Sequence, residues 1–218
     1  DRFPCIKQRD MTAMAASKLG ILGGTFNPIH MGHLILAQNA LESFDLARVL
    51  FIPCCKPPHK GSTGLASAGD RMAMVESAIE GDVRFEASDM EIQRGGVSYA
   101  VDTLRELKVC YPGQPLHFIV GSDTLTELHL WKDVYEILEL CTVVTLRRPP
   151  VRGKPFSRDD MKLDPPWPDR LMQNVVNLRQ IDISSSDIRH RQAEGMSIRY
   201  LVPPAVEMYI VEHHLYVK

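Results

Sequence analysis

The sequence is short of the features that mark several large protein classes. Its 218 residues contain no uninterrupted apolar run near the ~18 that a membrane helix needs, which argues against a helical membrane protein. There is no charge excess either. The 25 Lys and Arg against 27 Asp and Glu leave a formal charge of −2, unlike the strongly basic footprint of a dedicated nucleic-acid binder. The five cysteines (Cys5, Cys54, Cys55, Cys110 and Cys141) are odd in number, include no Cys-x-x-Cys and offer one vicinal pair. Such spacing fits neither a disulfide framework nor a zinc knuckle and reads as buried or half-buried thiols in a reducing compartment. The opening stretch Asp1–Lys18 has Arg2, Lys7 and Arg9 but no apolar core of signal-peptide length. It reads as a floppy leader, with cytoplasmic residence as the expectation.

What is present is an ordinary globular mix, 44% hydrophobic and 24% charged, of a length that suits one domain over residues 19–218. Short apolar runs at Leu19–Gly23, Arg48–Pro53, Val83–Ala87, Leu116–Gly121, Thr142–Leu146 and Arg179–Ile183 read as strands. Amphipathic stretches near Gly32–Phe44, Ala68–Ile79, Tyr99–Val109, Val134–Leu140, Asp187–Glu194 and Pro204–His213 alternate with them as helices. This alternation predicts an α/β fold, a Rossmann-like, doubly wound parallel sheet with helices on both faces. Ligands of such sheets gather at the carboxyl ends of the strands. The proline-rich segment Arg147–Arg170 reads as an exposed excursion.

Two motifs carry chemistry. The first runs Gly-Ile-Leu-Gly-Gly-Thr-Phe-Asn-Pro-Ile-His-Met-Gly-His from Gly20 to His33. Gly23 and Gly24 let a phosphate or nucleotide approach the backbone, and His30 and His33 straddle Gly32 where a helix opens. Free backbone N–H groups and the helix dipole make that place attractive to an anion. Zinc suits it poorly, since no Cys or carboxylate stands at ligand spacing. Without the preceding strand and loop, two surface histidines beside a turn glycine would explain the pattern equally. The turn is also not the dinucleotide fingerprint Gly-x-Gly-x-x-Gly, which weakens a dehydrogenase reading. The second motif is Ile183-Ser184-Ser185-Ser186-Asp187-Ile188-Arg189. It reads either as a plain N-cap or as a second phosphate cradle of hydroxyls and Arg189.

Together these motifs resemble the nucleotidyltransferase superfamily, and within it the bacterial nicotinate-nucleotide adenylyltransferases. Further segments of the resemblance are Lys56-Pro57-Pro58-His59-Lys60, Arg71-Met72-Ala73-Met74-Val75, Ser98-Tyr99-Ala100-Val101-Asp102-Thr103-Leu104 and Gly121-Ser122-Asp123 with Trp131. Arg147-Arg148-Pro149 and Ser197-Ile198-Arg199-Tyr200-Leu201-Val202-Pro203 complete it. The resemblance implies adenylyl transfer from ATP to nicotinate mononucleotide in NAD biosynthesis, with pyrophosphate released. It implies that Gly23, Gly24, Thr25, Phe26, Gly121 and Asp123 line the ATP, that His30 and His33 touch its phosphates, and that Ser185, Ser186 and Arg189 hold the β- and γ-phosphates. His30, His33 and Arg189 are then the catalytic set. Tyr99, Leu130 and Trp131 would take the mononucleotide, with Lys56, His59, Lys60 and Arg148 as phosphate or gating contacts. Mg²⁺ is expected on the ATP phosphates, held by substrate oxygens and water, with no protein ligand. A homo-oligomer is left open, and neither nucleic acid nor membrane is an expected partner.

Three positions depart from the family pattern. Asn27 stands where many bacterial members carry Asp, Ser186 where Thr is usual, and Ala100 where a Thr hydroxyl approaches the nicotinate carboxylate. The last leaves the choice between nicotinate and nicotinamide open. Rival readings are a phosphopantetheine or cytidylyl transferase of the same superfamily, or a non-catalytic nucleotide sensor on the same fold.

Overall fold

The computed structural model describes residues 17–58, 64–147, 157–177 and 181–217. The strands β1 (Lys18–Gly24), β2 (Leu46–Pro53), β3 (Phe85–Ala87), β4 (Leu116–Gly121), β5 (Thr142–Arg147) and β6 (Val175–Asn177) form one six-stranded sheet. Its order is β3-β2-β1-β4-β5-β6 and every pairing is parallel. The expected doubly wound α/β fold is therefore observed, with the strand order reversing between β1 and β4, where such sheets open a crevice for ligands.

The four central strands β1, β2, β4 and β5 are largely buried, and the period-2 alternation sorts their side chains into two cores. Val49 and Phe51 face one core, with helices α1 (Met31–Ser43), α2 (Ala68–Ile79) and a C-terminal helix packed over them. Leu50 and Ile52 face the other, beneath Val101, Leu104 and Leu107 and beneath Val134, Ile137 and Leu138. Between β3 and β4 lie α3 (Met90–Arg94) and α4 (Ala100–Cys110). After β4 come α5 (Ser122–Glu127), a single 3₁₀ turn at Leu128–Leu130, and α6 (Val134–Leu140). The chain closes with α7 (Trp167–Gln173), α8 (Ser185–Ala193) and α9 (Pro204–Glu212), the last being the helix that joins α1 and α2.

Two sequence expectations are corrected. The last strand is Val175–Asn177, which pairs with Thr145–Arg147, whereas residues 181–183 of the expected strand pair with no strand among the described residues and residues 179–180 lie outside them. β-Branched pairs stand near both ends of the run from Asn174 to Ile183, Val175 with Val176 and Ile181 with Ile183, so only the neighbouring strand selects which part joins the sheet. The described part of the excursion, 157–170, is also less exposed than expected: Met161 is buried in the second core, and Leu163 and Trp167 pack against it. A helix forms there because Pro168 occupies its first turn, where a missing N–H costs nothing. Lys18, next to the expected domain boundary, belongs to β1 and its Nζ donates to the Phe44 carbonyl at 2.9 Å. Residues 1–16 lie outside the described residues. No helix among the described residues is long and apolar enough to cross a membrane.

Candidate functional site

Two chambers open at the carboxyl ends of β1, β2 and β4, and they share a partition of Gly23, Gly24, Thr25, Phe118 and Trp131. The larger, about 750 Å³, is the more polar. His30 and His33 line it from the start of α1, Ser184, Ser185, Ser186 and Arg189 from the start of α8, and Gly121 and Asp123 from the end of β4. Two helix N-termini thus converge on one cavity, each offering backbone N–H groups and a positive dipole end. The smaller chamber, about 380 Å³, is lined mainly by apolar and aromatic groups, among them Ile52, Tyr99, Ala100, Leu130 and Trp131.

Local chemistry fixes the two histidines. Their rings stack with centroids 3.8 Å apart, and the His30 backbone N–H donates to His33 Nδ1 at 3.3 Å. With Nδ1 accepting, neutral His33 carries its proton on Nε2 and offers a donor there. Phe26 meets the His33 ring edge-on at 5.0 Å. Gly32 is not a turn residue but part of α1. A Cβ there would stand 3.0 Å from the Cε1 and Nδ1 atoms of His30, so only glycine leaves the imidazole its place.

The second motif is both a cap and a cradle. Ser184 Oγ accepts the Asp187 N–H at 3.1 Å and is the N-cap, so the cap is not made by Ser185 or Ser186, which line the chamber. Ser185 Oγ donates to the Pro28 carbonyl at 2.9 Å, and Arg189 Nη1 donates to the Asn27 carbonyl at 2.8 Å. Arg189 Nη2 lies 3.4 Å from Ser186 Oγ. These bonds stitch α8 to the loop after β1, so the two anion-loving termini are held as one unit.

In the smaller chamber, Trp131 stands edge-on to Phe118 at 5.9 Å and stays half-buried. Lys132 sits with Nζ 4.7 Å from the centre of the Tyr99 ring, its ammonium held by Asp102 at 3.1 Å. The wall also contains a carboxylate that the sequence motifs did not single out. Glu91 is buried and accepts from the Thr103 hydroxyl at 2.5 Å, and burial raises its carboxyl above the usual range. Burial likewise pushes the Cys54 thiol up, and that of Cys141 to about 12, so neither offers a thiolate nucleophile at neutral pH.

Most of the sequence-predicted residues are brought together: Gly23, Gly24, Thr25, His30, His33, Gly121, Asp123, Ser185, Ser186 and Arg189 in the larger chamber, and Tyr99, Leu130 and Trp131 in the smaller. Phe26 is buried in the core beneath His33 instead of along the cavity wall. Lys56 is exposed and forms a bridge with Val97, outside both linings. His59, Lys60 and Arg148 fall outside the described residues. Sequence reasoning passed over Glu91, Phe118 and Lys132, which line the cavity, and gave Asn27 no role beyond its departure from the family pattern. The donors of the larger chamber suit phosphate oxygens: imidazole, guanidinium, hydroxyl and backbone N–H. Its wall also carries the carboxylates of Asp123 and Glu127, but among the described residues no three of His, Cys, Asp and Glu come together as a metal-ligand set.

Comparison with known proteins agrees with this geometry. A model of the family described as "Cytidylyltransferase-like" matches residues 21–191. A protein of Desulfitobacterium hafniense strain DSM 10664 / DCB-2, named "Probable nicotinate-nucleotide adenylyltransferase", is 42% identical over 200 residues, covering 91% of this chain and 95% of the relative. One of Citrifermentans bemidjiense with the same name is 43% identical, covering 92% of this chain and 98% of its own length. Among solved structures, a Plasmodium falciparum nicotinic acid mononucleotide adenylyltransferase complexed with NaAD superposes with a TM-score of 0.72 at 18% identity, over 92% of this chain and 97% of that one, which speaks to the fold. On the strength of the family match and of relatives above 40% identical along nearly their whole length, the chain belongs to the cytidylyltransferase-like family, alongside the nicotinate-nucleotide adenylyltransferases.

Proposed function

We propose that the chain transfers the adenylyl group of ATP to nicotinate mononucleotide, giving nicotinate adenine dinucleotide and pyrophosphate in NAD biosynthesis. The observation that carries this reading is the shared partition: a phosphate-binding chamber and an aromatic chamber meet at Gly23, Gly24 and Thr25. ATP occupies the first, with Gly121 and Asp123 beside its ribose. The pyridine of the mononucleotide lies by Tyr99, Leu130 and Trp131 in the second.

The 5′-phosphate oxygen of the mononucleotide attacks the α-phosphorus, and the bond to the bridging oxygen of pyrophosphate breaks. The attacking oxygen is already anionic, so no general base and no covalent intermediate is needed. Catalysis then consists of aligning two anions and stabilising the charge that grows on the leaving group. His33 Nε2–H, His30, Arg189, Ser185 and Ser186 serve the second task from two helix N-termini. Mg²⁺ carried on the ATP phosphates would neutralise part of their charge, held by substrate oxygens and water. The enzyme works in the cytoplasm as a single domain spanning 19–218.

The test is pyrophosphate release with ATP and Mg²⁺, offering nicotinate mononucleotide and nicotinamide mononucleotide side by side. Turnover with a strong preference for the acid supports the reading and means that other groups replace the hydroxyl absent at Ala100. Equal use of the amide keeps adenylyl transfer and removes the selectivity. No turnover with either returns the chain to the superfamily's other substrates.

A further inference from the structure

Arg71 heads the fully buried side chains of the described residues by size, with no surface in contact with solvent. An arginine keeps its charge inside a protein, and a buried charge is costly unless every donor is met. Its acceptors are uncharged and come from two loops, the one after β1 and the two ends of the connection between β2 and α2. Nη1 donates to the Thr25 carbonyl at 2.9 Å, in the loop after β1. Nη2 donates to the Cys55 carbonyl at 3.0 Å, in the loop after β2. Nε donates to the Ala66 carbonyl at 3.2 Å, just ahead of α2. A fourth contact, from Nη1 to Cys54 Sγ, measures 3.8 Å.

Those loops are the walls of the two chambers. Thr25 belongs to the partition between them, Cys54 lines the smaller chamber, and Leu65 lines the larger. The same loops are held from their far sides by other bonds. Cys55 N–H donates to Ser98 Oγ at 2.9 Å, beside Tyr99, and Ala66 N–H donates to Asn27 Oδ1 at 3.0 Å. One rigid, planar fork therefore joins the partition to a wall of each chamber. A lysine in its place has a single nitrogen and cannot reach three carbonyls in divergent directions.

We infer that Arg71 is a positioning residue for adenylyl transfer, setting the distance and angle between the two substrate chambers so that attacking and leaving phosphate oxygens meet in line. It touches neither substrate. The inference rests on the adenylyl-transfer reading above. It predicts a loss in the chemical step rather than in the binding of either substrate, since each chamber keeps its own lining while their mutual geometry relaxes. A displacement of about 1 Å between reacting groups lowers rates on the order of 10²-fold.

The experiment compares wild type, Arg71→Lys and Arg71→Gln in the full chain. It measures circular dichroism and thermal midpoint, binding of α,β-methylene-ATP alone by calorimetry, and kcat and KM for pyrophosphate release. The inference expects both variants to fold and to bind the ATP analogue within about threefold of wild type, with kcat down on the order of 10²-fold in Arg71→Lys. Wild-type kcat in Arg71→Lys overturns it. So does a fall in kcat that is matched by the loss in analogue binding, or that disappears when the assay temperature is lowered below a reduced thermal midpoint. Failure of both variants to fold makes Arg71 a purely structural residue and overturns it too. An inactive wild type with both mononucleotides is a different failure, that of the adenylyl-transfer reading.

Discussion

The Tyr216 hydroxyl donates to Asn27 Oδ1 at 2.8 Å, joining residues 189 apart in sequence. Asn27 is the hub of the loop after β1: its Nδ2 donates to the Gly64 carbonyl at 2.9 Å, its Oδ1 also accepts Ala66 N–H, and its own carbonyl accepts Arg189. An amide can donate and accept at once, which an ionised carboxylate in its place cannot. Asn27 thus ties the strand of glycines to the α8 cradle, to the segment ahead of α2 and to the residues after α9.

Tyr216→Phe removes one of these bonds and leaves Oδ1 with Ala66 N–H. The expected loss is about 0.5–1.5 kcal/mol in a denaturant melt. Burial pushes the Tyr216 phenol well above its ordinary value, so the hydroxyl stays protonated and the loss should be the same at pH 6 and pH 8. Asn27→Ala removes both side-chain functions from a buried site and should cost roughly 2–4 kcal/mol, with weaker ATP binding as well. An ATP KM unchanged in Asn27→Ala would separate this hub from the nucleotide chamber.

His33→Ala tests the transition-state donor. Removing one such group should lower kcat on the order of 10²–10³-fold while the KM for the mononucleotide changes little. Loss confined to ATP affinity would make His33 a ground-state contact only. Gly32→Ala approaches the same machinery from the backbone. The added Cβ meets the His30 ring at 3.0 Å, so the ring must shift, and kcat should fall with the helix intact by circular dichroism.

Why the sequence revealed this site so well, and where it fell short, follows from the range of the interactions. Gly20 to His33 and Ile183 to Arg189 are local motifs whose residues act where they stand in the chain, beside a strand end and a helix start. Asn27 and Arg71 act through carbonyls and amides brought close only by the fold, at separations of 37 to 189 residues for Asn27 and up to 46 for Arg71. Nothing in their neighbourhoods signals those partners. The sixth strand was misplaced for a similar reason, since the partner at Thr145–Arg147 chooses between two equally suitable runs. The helix at Trp167 escapes a sequence reading because the prolines around it mark an irregular excursion, although Pro168 fits its first turn.

Trp131→Ala should act chiefly on the mononucleotide. An aromatic pair contributes about 0.5–1.5 kcal/mol beyond its buried area, so losing the stacking surface should raise the mononucleotide KM by roughly 2- to 12-fold. Trp131→Phe should recover most of it. A larger rise in the KM for ATP would assign Trp131 to the other chamber, which it also lines.

Glu91 links stability to pH. Its carboxyl is raised above 4.5 by burial, with the Thr103 and Ser98 hydroxyls and Arg94 opposing that shift. A raised folded value means that the native state holds this proton more tightly than the unfolded chain does. Below about pH 4.5 both states are protonated and the group is neutral to stability. As pH rises from there through the folded value, the unfolded chain ionises first and the native state loses stability. Glu91→Gln keeps an oxygen for Thr103 and removes the titration. The variant should therefore gain relative to wild type as pH climbs from 4 to 8, read as a widening difference in unfolding free energy. A constant difference across that range would mean that Glu91 ionises in the fold as freely as in water, which its burial against Thr103 argues against.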